Sequence, residues 1–149
     1  MANTYGVDAP AIALTAATAL YMLGVATPST SDLDFIDFLF GADATAAGTL
    51  KVELLSWTTD GTGTAYTPSR LNGSAQNRPS LATAKIDYTS APSGTLTIIK
   101  TWMFVLPTGG FEIQEPLGRD IYMGPGKFYG IRFTSSVACN GYAHVEFEE

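Results

Sequence analysis

The sequence has few charged residues, and basic residues are the scarcer kind. Asp, Glu, Lys and Arg make up only 15% of its 149 residues, against roughly 25% in an average soluble domain. Eight scattered Lys and Arg residues face 14 Asp and Glu residues, which gives a net charge of -6. Nucleic acids and anionic membranes both attract clustered basic residues, so neither is an expected partner.

Cysteine and histidine are nearly absent. The single cysteine, Cys139, excludes an internal disulfide, and with the single histidine, His144, it cannot form a usual zinc ligand set. Cys139 is interpreted as a small, buried or half-buried side chain in a hairpin. His144 shares its strand face with Glu146 and Glu148, which favours a solvent-facing strand histidine over the base of a nucleophilic site. We expect no catalytic residue, no cofactor and no metal.

Charge is missing altogether between Ala9 and Ser31, a stretch almost long enough to cross a membrane. The first basic residue is Lys51, so the positive flank of a signal peptide or membrane span is missing. Threonine dilutes the stretch, and proline and glycine interrupt it. We expect instead that residues 1–28 form an extended N-terminal arm and a first strand.

Alternation of apolar and polar residues is the dominant pattern, and it indicates half-buried strands. Turn signals such as Pro125-Gly126 separate the runs. The predicted strands are Ala19 to Val25, Leu33 to Phe40, Thr49 to Trp57, Gly94 to Leu106, a short strand with Phe111 and Ile113, Lys127 to Thr134, and Gly141 to Glu148. About eight strands without a substantial helix predict an all-β, single-domain antiparallel β-sandwich or jelly roll over residues 1–149.

Three runs depart from simple alternation. Leu33 to Phe40 changes phase near Ile36 and Asp37, which predicts a β-bulge. Gly94 to Leu106 has apolar residues at both the odd and the even positions, which point to opposite faces of a strand. We therefore expect this strand to be covered on both faces or to meet another subunit. Thr58 to Ser93 is a long polar loop, of the kind that is functional or reaches onto a neighbour.

The stretch from Leu106 to Gly118 holds a glycine pair and two carboxylates, yet a hairpin explains it. Leu106 would end the long strand, Pro107 to Gly110 would form the turn, and Phe111 and Ile113 would return into the core.

Two groups of acidic residues are candidate sites. Glu112, Glu115 and Asp120 could form the carboxylate pair of a glycosidase, but their context resembles ordinary surface charge. The acidic run from Asp32 to Asp37 lacks the glycine of a calcium loop and is interpreted as charge on a strand edge.

Aromatic residues admit two interpretations. They could line a groove on which sugars stack, or they could belong to the sandwich core or a subunit interface, which is the favoured reading. The residues concerned are Trp57, Tyr66, Trp102, Phe128 and Tyr142.

Several segments occur together in a recognisable combination. They are Leu106-Pro-Thr-Gly-Gly, Gln114-Glu-Pro-Leu-Gly-Arg119, Gly130-Ile-Arg-Phe133 and Val145-Glu-Phe-Glu-Glu149, with the strand Thr49 to Trp57 and the segment Thr67 to Leu71. In this combination the chain resembles a group of virion proteins of tailed bacteriophages and prophages.

The resemblance implies a non-enzymatic jelly-roll protein that decorates, or cements, the outer surface of the capsid and stabilises the head. The implied partners are the major capsid protein and copies of the chain itself, in a homo-oligomer with a trimer favoured over a dimer. The implied location is the virion, with the host cytoplasm during assembly. The alternative is a tail or fibre module that binds host surface carbohydrate through aromatics such as Tyr66 or Trp57.

The N-terminal arm and the long polar loop are the segments expected to contact other chains. The expected interface residues are Tyr5, Ile12, Leu14, Tyr21, Tyr66, Arg70 and Arg78.

Overall fold

The computed structural model describes residues 3–72, 78–115 and 121–149. In this part of the chain, strands and loops form two six-stranded antiparallel sheets that pack face to face. The all-β sandwich predicted from alternation is therefore confirmed, although the described residues form twelve strands and not eight.

The strands are β1 (Thr4–Leu14), β2 (Ala19–Ala26), β3 (Leu33–Ala42), β4 (Gly48–Trp57), β5 (Thr62–Tyr66), β6 (Ser69–Arg70), β7 (Thr83–Ser90), β8 (Thr97–Leu106), β9 (Thr108–Gln114), β10 (Ile121–Met123), β11 (Phe128–Ser135) and β12 (Cys139–Glu148).

Eight of these strands have jelly-roll connectivity. Sheet A has the order β10-β3-β12-β1-β6, with β9 also paired to β3, and sheet B has the order β5-β7-β2-β11-β4-β8. The chain alternates between the sheets through β1, β2, β3 and β4, and again through β8, β9, β11 and β12. The result is a four-stranded half β1-β12-β3-β9 packed on a half β2-β11-β4-β8, as in a jelly roll. The short strands β5, β6, β7 and β10 are additions at the margins.

The core lies between the two sheets and is rich in aromatic rings. Phe40 lies 5.4 Å from Trp102 and 5.9 Å from Phe133 between ring centroids, and Phe38 lies 5.6 Å from Trp102. Each fully buried ring of this size contributes about 1.5–3 kcal/mol through removal of apolar surface from water. These contacts join β3 of one sheet to β8 and β11 of the other.

The bulge predicted in β3 is confirmed. Opposite β12, Asp37 pairs with Glu146 and Phe35 pairs with Phe147, so Ile36 is the extra residue. Because side chains alternate in a strand, this insertion lets both Phe35 and Phe38 face the core.

The expected N-terminal arm is wrong, because the segment is built into the sandwich. β1 lies between β12 and β6, and β2 lies between β11 and β7. The register of β1 shifts between Ala9 and Ile12, around Pro10, which cannot donate a ladder hydrogen bond. The stretch lacks charge because it supplies the second half of β1 and the inner strand β2, both of which bury side chains in the core. Among the described residues, no helix has the length and apolar character needed to cross a membrane.

The long polar loop is also corrected, since Thr58 to Ser93 contains β5, β6 and β7. β7 pairs with β2 and β5 pairs with β7, which extends sheet B beyond the jelly roll. These strands are rich in threonine and partly exposed, so the alternation that marks a core strand is weak in them.

The hairpin predicted from Leu106 onward is wrong as well. β8 belongs to sheet B, whereas β9 pairs with β3 in sheet A, so the chain crosses between sheets at Pro107. Phe111 is partly exposed and stacks on Phe104 with 4.1 Å between ring centroids, and Ile113 packs against the core as expected. Residues 116–118 lie outside the described residues.

The acidic run from Asp32 to Asp37 does not mark a sheet edge. β3 has β12 on one side and β9 and β10 on the other, so it is an inner strand. The idea that these carboxylates guard a free edge is therefore wrong.

Candidate functional site

An open sheet edge is formed by β8, the last strand of sheet B among the described residues. One side of β8 pairs with β4 from Gly48 opposite Leu106 to Ser56 opposite Thr97. No described strand pairs with its other side. A ten-residue edge of this kind presents a row of backbone donors and acceptors to a further strand.

Apolar side chains accompany this open edge. Trp102 points inward onto sheet A, so its neighbours Met103 and, beyond it, Val105 alternate outward. Met103 is 60% exposed and Val105 is 77% exposed. We call the exposed apolar residues along the edge the β8 patch; they are Leu96, Ile98, Ile99, Met103 and Val105.

The exposure of this patch bears on the prediction for β8, whose residues are apolar on both faces: that the strand is covered on both faces or meets another subunit. One parity of β8 packs in the core, and described residues leave the other largely uncovered. Coverage of both faces is therefore not found within the described residues, and contact of the outer face with another subunit stays a prediction.

Charge at the β8 edge is neutralised. Lys100 is the one charged residue in the strand, and its ammonium forms an ion pair with the Glu115 carboxylate, which is almost fully buried. The register between β8 and β4 shifts beside this lysine. Lys100 and Ile98 lie opposite Leu54 and Leu55, which are consecutive in β4, so β8 has one extra residue between them. The lysine is thus directed to Glu115 and does not shield the edge.

Beside the patch, the outer face of sheet B carries a buried charged cluster. Arg132 Nε donates to Glu53 Oε2 at 2.8 Å, and Lys51 Nζ lies 3.4 Å from Glu53 Oε1. The Arg132 guanidinium also lies 5.5 Å from the centre of the Tyr21 ring. Burial acts to raise the pKa of Glu53, but the hydrogen bond and charge of Arg132, aided by Lys51, outweigh it and hold that pKa below its usual value.

A surface pocket occupies the other end of the same face. Small residues on the two strands that flank β7, namely Gly24 and Ala26 on β2 and Ala65 on β5, leave a depression of about 390 Å³. We call it the sheet-B pocket; it is lined by Gly24, Ala26, Asp60, Ala65, Thr83, Ala84, Lys85, Tyr88 and Phe128.

Asp60 organises one wall of the pocket. Its Oδ1 accepts hydrogen bonds from Trp57 Nε1 at 3.1 Å, Tyr88 Oη at 3.0 Å and the Gly61 backbone N–H at 3.0 Å. Its Oδ2 lies 2.7 Å from Lys85 Nζ, which also donates to the Gly61 carbonyl at 2.9 Å. Burial, with the charge and hydrogen bond of Asp60, raises the pKa of Tyr88, so the hydroxyl stays protonated and donates.

Glycines let the aromatic rings lie directly on the strands behind this wall. Gly24 and Gly130 are paired across β2 and β11. A Cβ at Gly24 would lie 2.3 Å from the Tyr88 hydroxyl oxygen, and one at Gly130 would lie 2.5 Å from Cη2 of Trp57. The Trp57 and Tyr88 rings meet edge to face at 6.1 Å. The wall is therefore closely packed and rigid.

Four of the expected interface residues lie inside the chain's own core. Tyr5, Ile12, Leu14 and Tyr21 are all buried. A side chain covered by its own chain offers no surface to a partner, so this placement runs against their expected role. The physical reason is that the supposed arm forms β1 and β2.

The other three expected interface residues lie nearer the surface. Tyr66 is partly buried and its hydroxyl donates to Asp8 Oδ2 at 3.3 Å. Arg70 Nη2 donates to Asn3 Oδ1 at 2.9 Å, and Arg78 is exposed. Their role in an interface stays a prediction.

The remaining candidates are not gathered into one site. His144 lies between Asp8 Oδ1 at 2.7 Å and Glu146 Oε1 at 3.2 Å on the outer face of sheet A, mostly covered and not freely solvent-facing. Cys139 is a half-buried free thiol, as predicted, although it opens β12 after the chain has changed sheets and so lies outside a hairpin.

The carboxylates considered for glycoside hydrolysis have separate environments. Glu112 is exposed and accepts from Gln114 Nε2 at 3.1 Å, whereas Glu115 is occupied by Lys100. Asp120 lies outside the described residues. In the described part of the chain, no three His, Cys, Asp or Glu side chains are grouped so that they could hold a metal ion.

Comparisons with protein-family models, with curated proteins and with solved structures found no match to this chain.

Proposed function

We propose that the chain is a non-enzymatic structural protein that assembles through the open edge of β8. The observation that carries the proposal is the coincidence of unpaired backbone groups with exposed apolar side chains along one strand. Natural sheet edges of this length are commonly shielded by charge, proline or a covering segment. Among the described residues the β8 edge has no internal proline and no covering segment, and its one charged side chain, Lys100, is paired with Glu115.

Both components of this surface favour contact with protein. A strand added to the edge would satisfy the free N–H and C=O groups of β8, and its side chains would cover Ile98, Met103 and Val105. Removal of apolar area from water contributes about 25 cal/mol per Å². Exposed apolar patches of this kind mark interaction surfaces in stable proteins.

Charge allows the partner to be another copy of the chain. The whole chain carries -6, so most of its surface repels a second copy. The segment from Gly94 to Leu106 has no acidic residue, and its one lysine is paired. Two copies can therefore approach at this edge without like-charge repulsion.

We assign this assembly to the virion of a tailed phage, as a decoration or cement protein on the outer capsid surface. The sequence resemblance in the segments from Thr95 onward supports the assignment, and so does the jelly-roll connectivity, which viral capsid domains use. The proposed partners are the major capsid protein and copies of the chain, in a homo-oligomer with a trimer favoured over a dimer. The proposed locations are the capsid surface and, during assembly, the host cytoplasm.

The test is the effect of a charge placed on the edge. Val105→Lys inserts an ammonium at the most exposed position of the β8 patch, and Leu81→Lys makes a comparable change at an exposed leucine elsewhere. We expect the native chain and Leu81→Lys to form an oligomer by light scattering and native mass spectrometry. Val105→Lys should be monomeric and should not bind particles.

Copy number in purified particles completes the test. A shell component is present in hundreds of copies, because shell symmetry sets its multiplicity, whereas a tail component is present in few. A native chain that stays monomeric at all concentrations and is missing from particles would refute the proposal.

A tail or fibre module that binds host surface carbohydrate is the second candidate. The observation that favours it is the sheet-B pocket, which combines an aromatic ring with an organised carboxylate. Of the two aromatics expected to bind sugar, Trp57 is buried behind the pocket wall and Tyr66 adjoins Ala65 in the pocket lining.

A further inference from the structure

We infer that the sheet-B pocket binds one neutral pyranose sugar ring. This inference rests on the second candidate function, whose ligand class it specifies, and it does not depend on assembly at the β8 edge, which lies three strand positions from β2. The volume of about 390 Å³ lies within the range of roughly 300–1,000 Å³ found for small-molecule sites.

The two sides of the pocket match the apolar face and the polar edge of a pyranose. On one side are the Phe128 ring and the methyl group of Ala26, which is paired with Phe128 across β11 and β2, whereas Ala65 lies beside Lys85 on the polar side. A sugar ring presents a face of C–H bonds, whose partial positive charge is attracted to the negative face of an aromatic ring. On the other side are Asp60 and Lys85, which can exchange hydrogen bonds with hydroxyl groups at the sugar's edge.

The polar wall is organised before any ligand arrives. Asp60 is fixed by Trp57, Tyr88, Gly61 and Lys85 together. The Lys85 ammonium has three N–H donors, of which one is directed to Asp60 and one to the Gly61 carbonyl. The remaining donor and the second lone pair of Asp60 Oδ2 are available to hydroxyl groups. Side chains that are already ordered lose little entropy on binding.

Charge in the pocket selects an uncharged ligand. Asp60 and Lys85 neutralise one another at 2.7 Å. An anionic ligand would approach Asp60 on a chain of net charge -6, and a cationic ligand would compete with Lys85 for the same carboxylate. A hydroxyl-bearing neutral ring meets neither penalty.

Methyl NMR of the full chain tests the inference. The probes are the methyl glycosides of glucose, galactose, mannose, rhamnose and N-acetylglucosamine, each added to millimolar concentration. We expect at least one of them to shift the methyl signals of Ala26 and Ala65 in a saturable way, with the signals of β8 unchanged.

A matched pair of variants locates the binding. Ala26→Leu fills the pocket, whereas Ala19→Leu makes the same change on the same strand and outward face, about 23 Å away at the strand rise of 3.3 Å per residue. We expect Ala26→Leu to weaken binding by about tenfold or more and Ala19→Leu by less than about twofold. Ala65→Leu replaces Ala26→Leu if the latter does not fold.

Polar contacts are tested with Lys85→Gln, which removes the charge and keeps an N–H donor on a side chain one atom shorter. We expect it to weaken binding by about threefold to tenfold. The absence of a shift at Ala26 and Ala65 with every probe, or unchanged affinity in both pocket-filling variants, would overturn the inference. Either result would leave the oligomer formed at β8 intact, so the two proposals fail separately.

Discussion

Gly130 is a position inside sheet B where a single added methyl group should be costly. A Cβ there would lie 2.2 Å from the Leu23 carbonyl oxygen, 2.5 Å from Cη2 of Trp57 and 2.9 Å from the Gly24 Cα. Two of these three atoms belong to the backbone of the neighbouring strand, so no side-chain rotation relieves the contact. The Trp57 ring is buried, and its Nε1 is bonded to Asp60, so it cannot move aside freely.

The cost can be worked out from these contacts. Overpacking a closely packed site costs about 1–3 kcal/mol, and the backbone contacts place Gly130→Ala at the upper end. Alanine also lowers the conformational entropy of the unfolded chain, and this stabilises the folded state by only about 0.4–1 kcal/mol. The net loss is about 2 kcal/mol, which for a chain of this size lowers Tm by roughly 4–8 °C.

Two further glycines supply a graded control. The three atoms nearest to a Cβ at Gly24 all belong to the side chains of Tyr88 and Trp57, so Gly24→Ala should cost less than Gly130→Ala. A Cβ at Gly109 has no atom within 4 Å, so Gly109→Ala should leave Tm unchanged or slightly raised. Thermal unfolding by circular dichroism and urea unfolding by tryptophan fluorescence measure the series. Equal melting temperatures for Gly130→Ala and Gly109→Ala would refute the reasoning.

The remaining predictions concern the buried carboxylate of Glu53, whose residue is 3% exposed. Arg132→Met removes its principal partner and should cost about 3 kcal/mol in urea unfolding, because a buried charge is left uncompensated; a loss under about 1 kcal/mol would show that solvent or Lys51 compensates. The pKa of Glu53 is lower in the folded chain than its usual value, so its contribution to stability is present above the unfolded-state pKa and is lost as pH falls through the folded-state pKa. Native protein should therefore lose more stability than Glu53→Gln between about pH 5 and pH 2, and parallel profiles of unfolding free energy against pH would contradict this.

Much of the fold could be predicted where one strand face is buried and the other is wet. In β12 the alternation of Ala143, Val145 and Phe147 with polar residues determines both the strand and its register. The bulge at Ile36 follows from the same rule, since a change of phase requires an extra residue. Both the alternation and the bulge are needed to bury apolar side chains in the core, so both are visible in the order of apolar and polar residues.

Other features depend on contacts that no local pattern records. Pro107 and the glycines after it signal a change of direction, but they do not say whether the chain returns to the same sheet or crosses to the other. The strands β5 and β7 escape prediction because they bury little, so threonine and serine are tolerated on them. The sequence shows that β8 has apolar residues on both faces, but it does not show which face is left uncovered.

The pocket could not be predicted from the sequence for a related reason. Its floor is formed by small residues on the strands that flank β7, namely Gly24, Ala26 and Ala65, and small residues have many explanations in a sequence. Its polar wall joins Asp60 to Tyr88, residues 28 positions apart. The available signal was the cluster of Gly and Ala at outward positions of β2, which becomes informative only when β7 and β5 are known to lie beside it.

The two edges of sheet B are unequal, and this sets a limit on growth. At one edge, β7 and the short polar strand β5 cover β2, which would otherwise expose its own backbone groups. At the other edge no described strand covers β8, which is twice as long as β5. Two copies that pair β8 with β8 each use their longer edge, so this contact closes at two chains, and a trimer requires β8 to meet a different surface of the next copy.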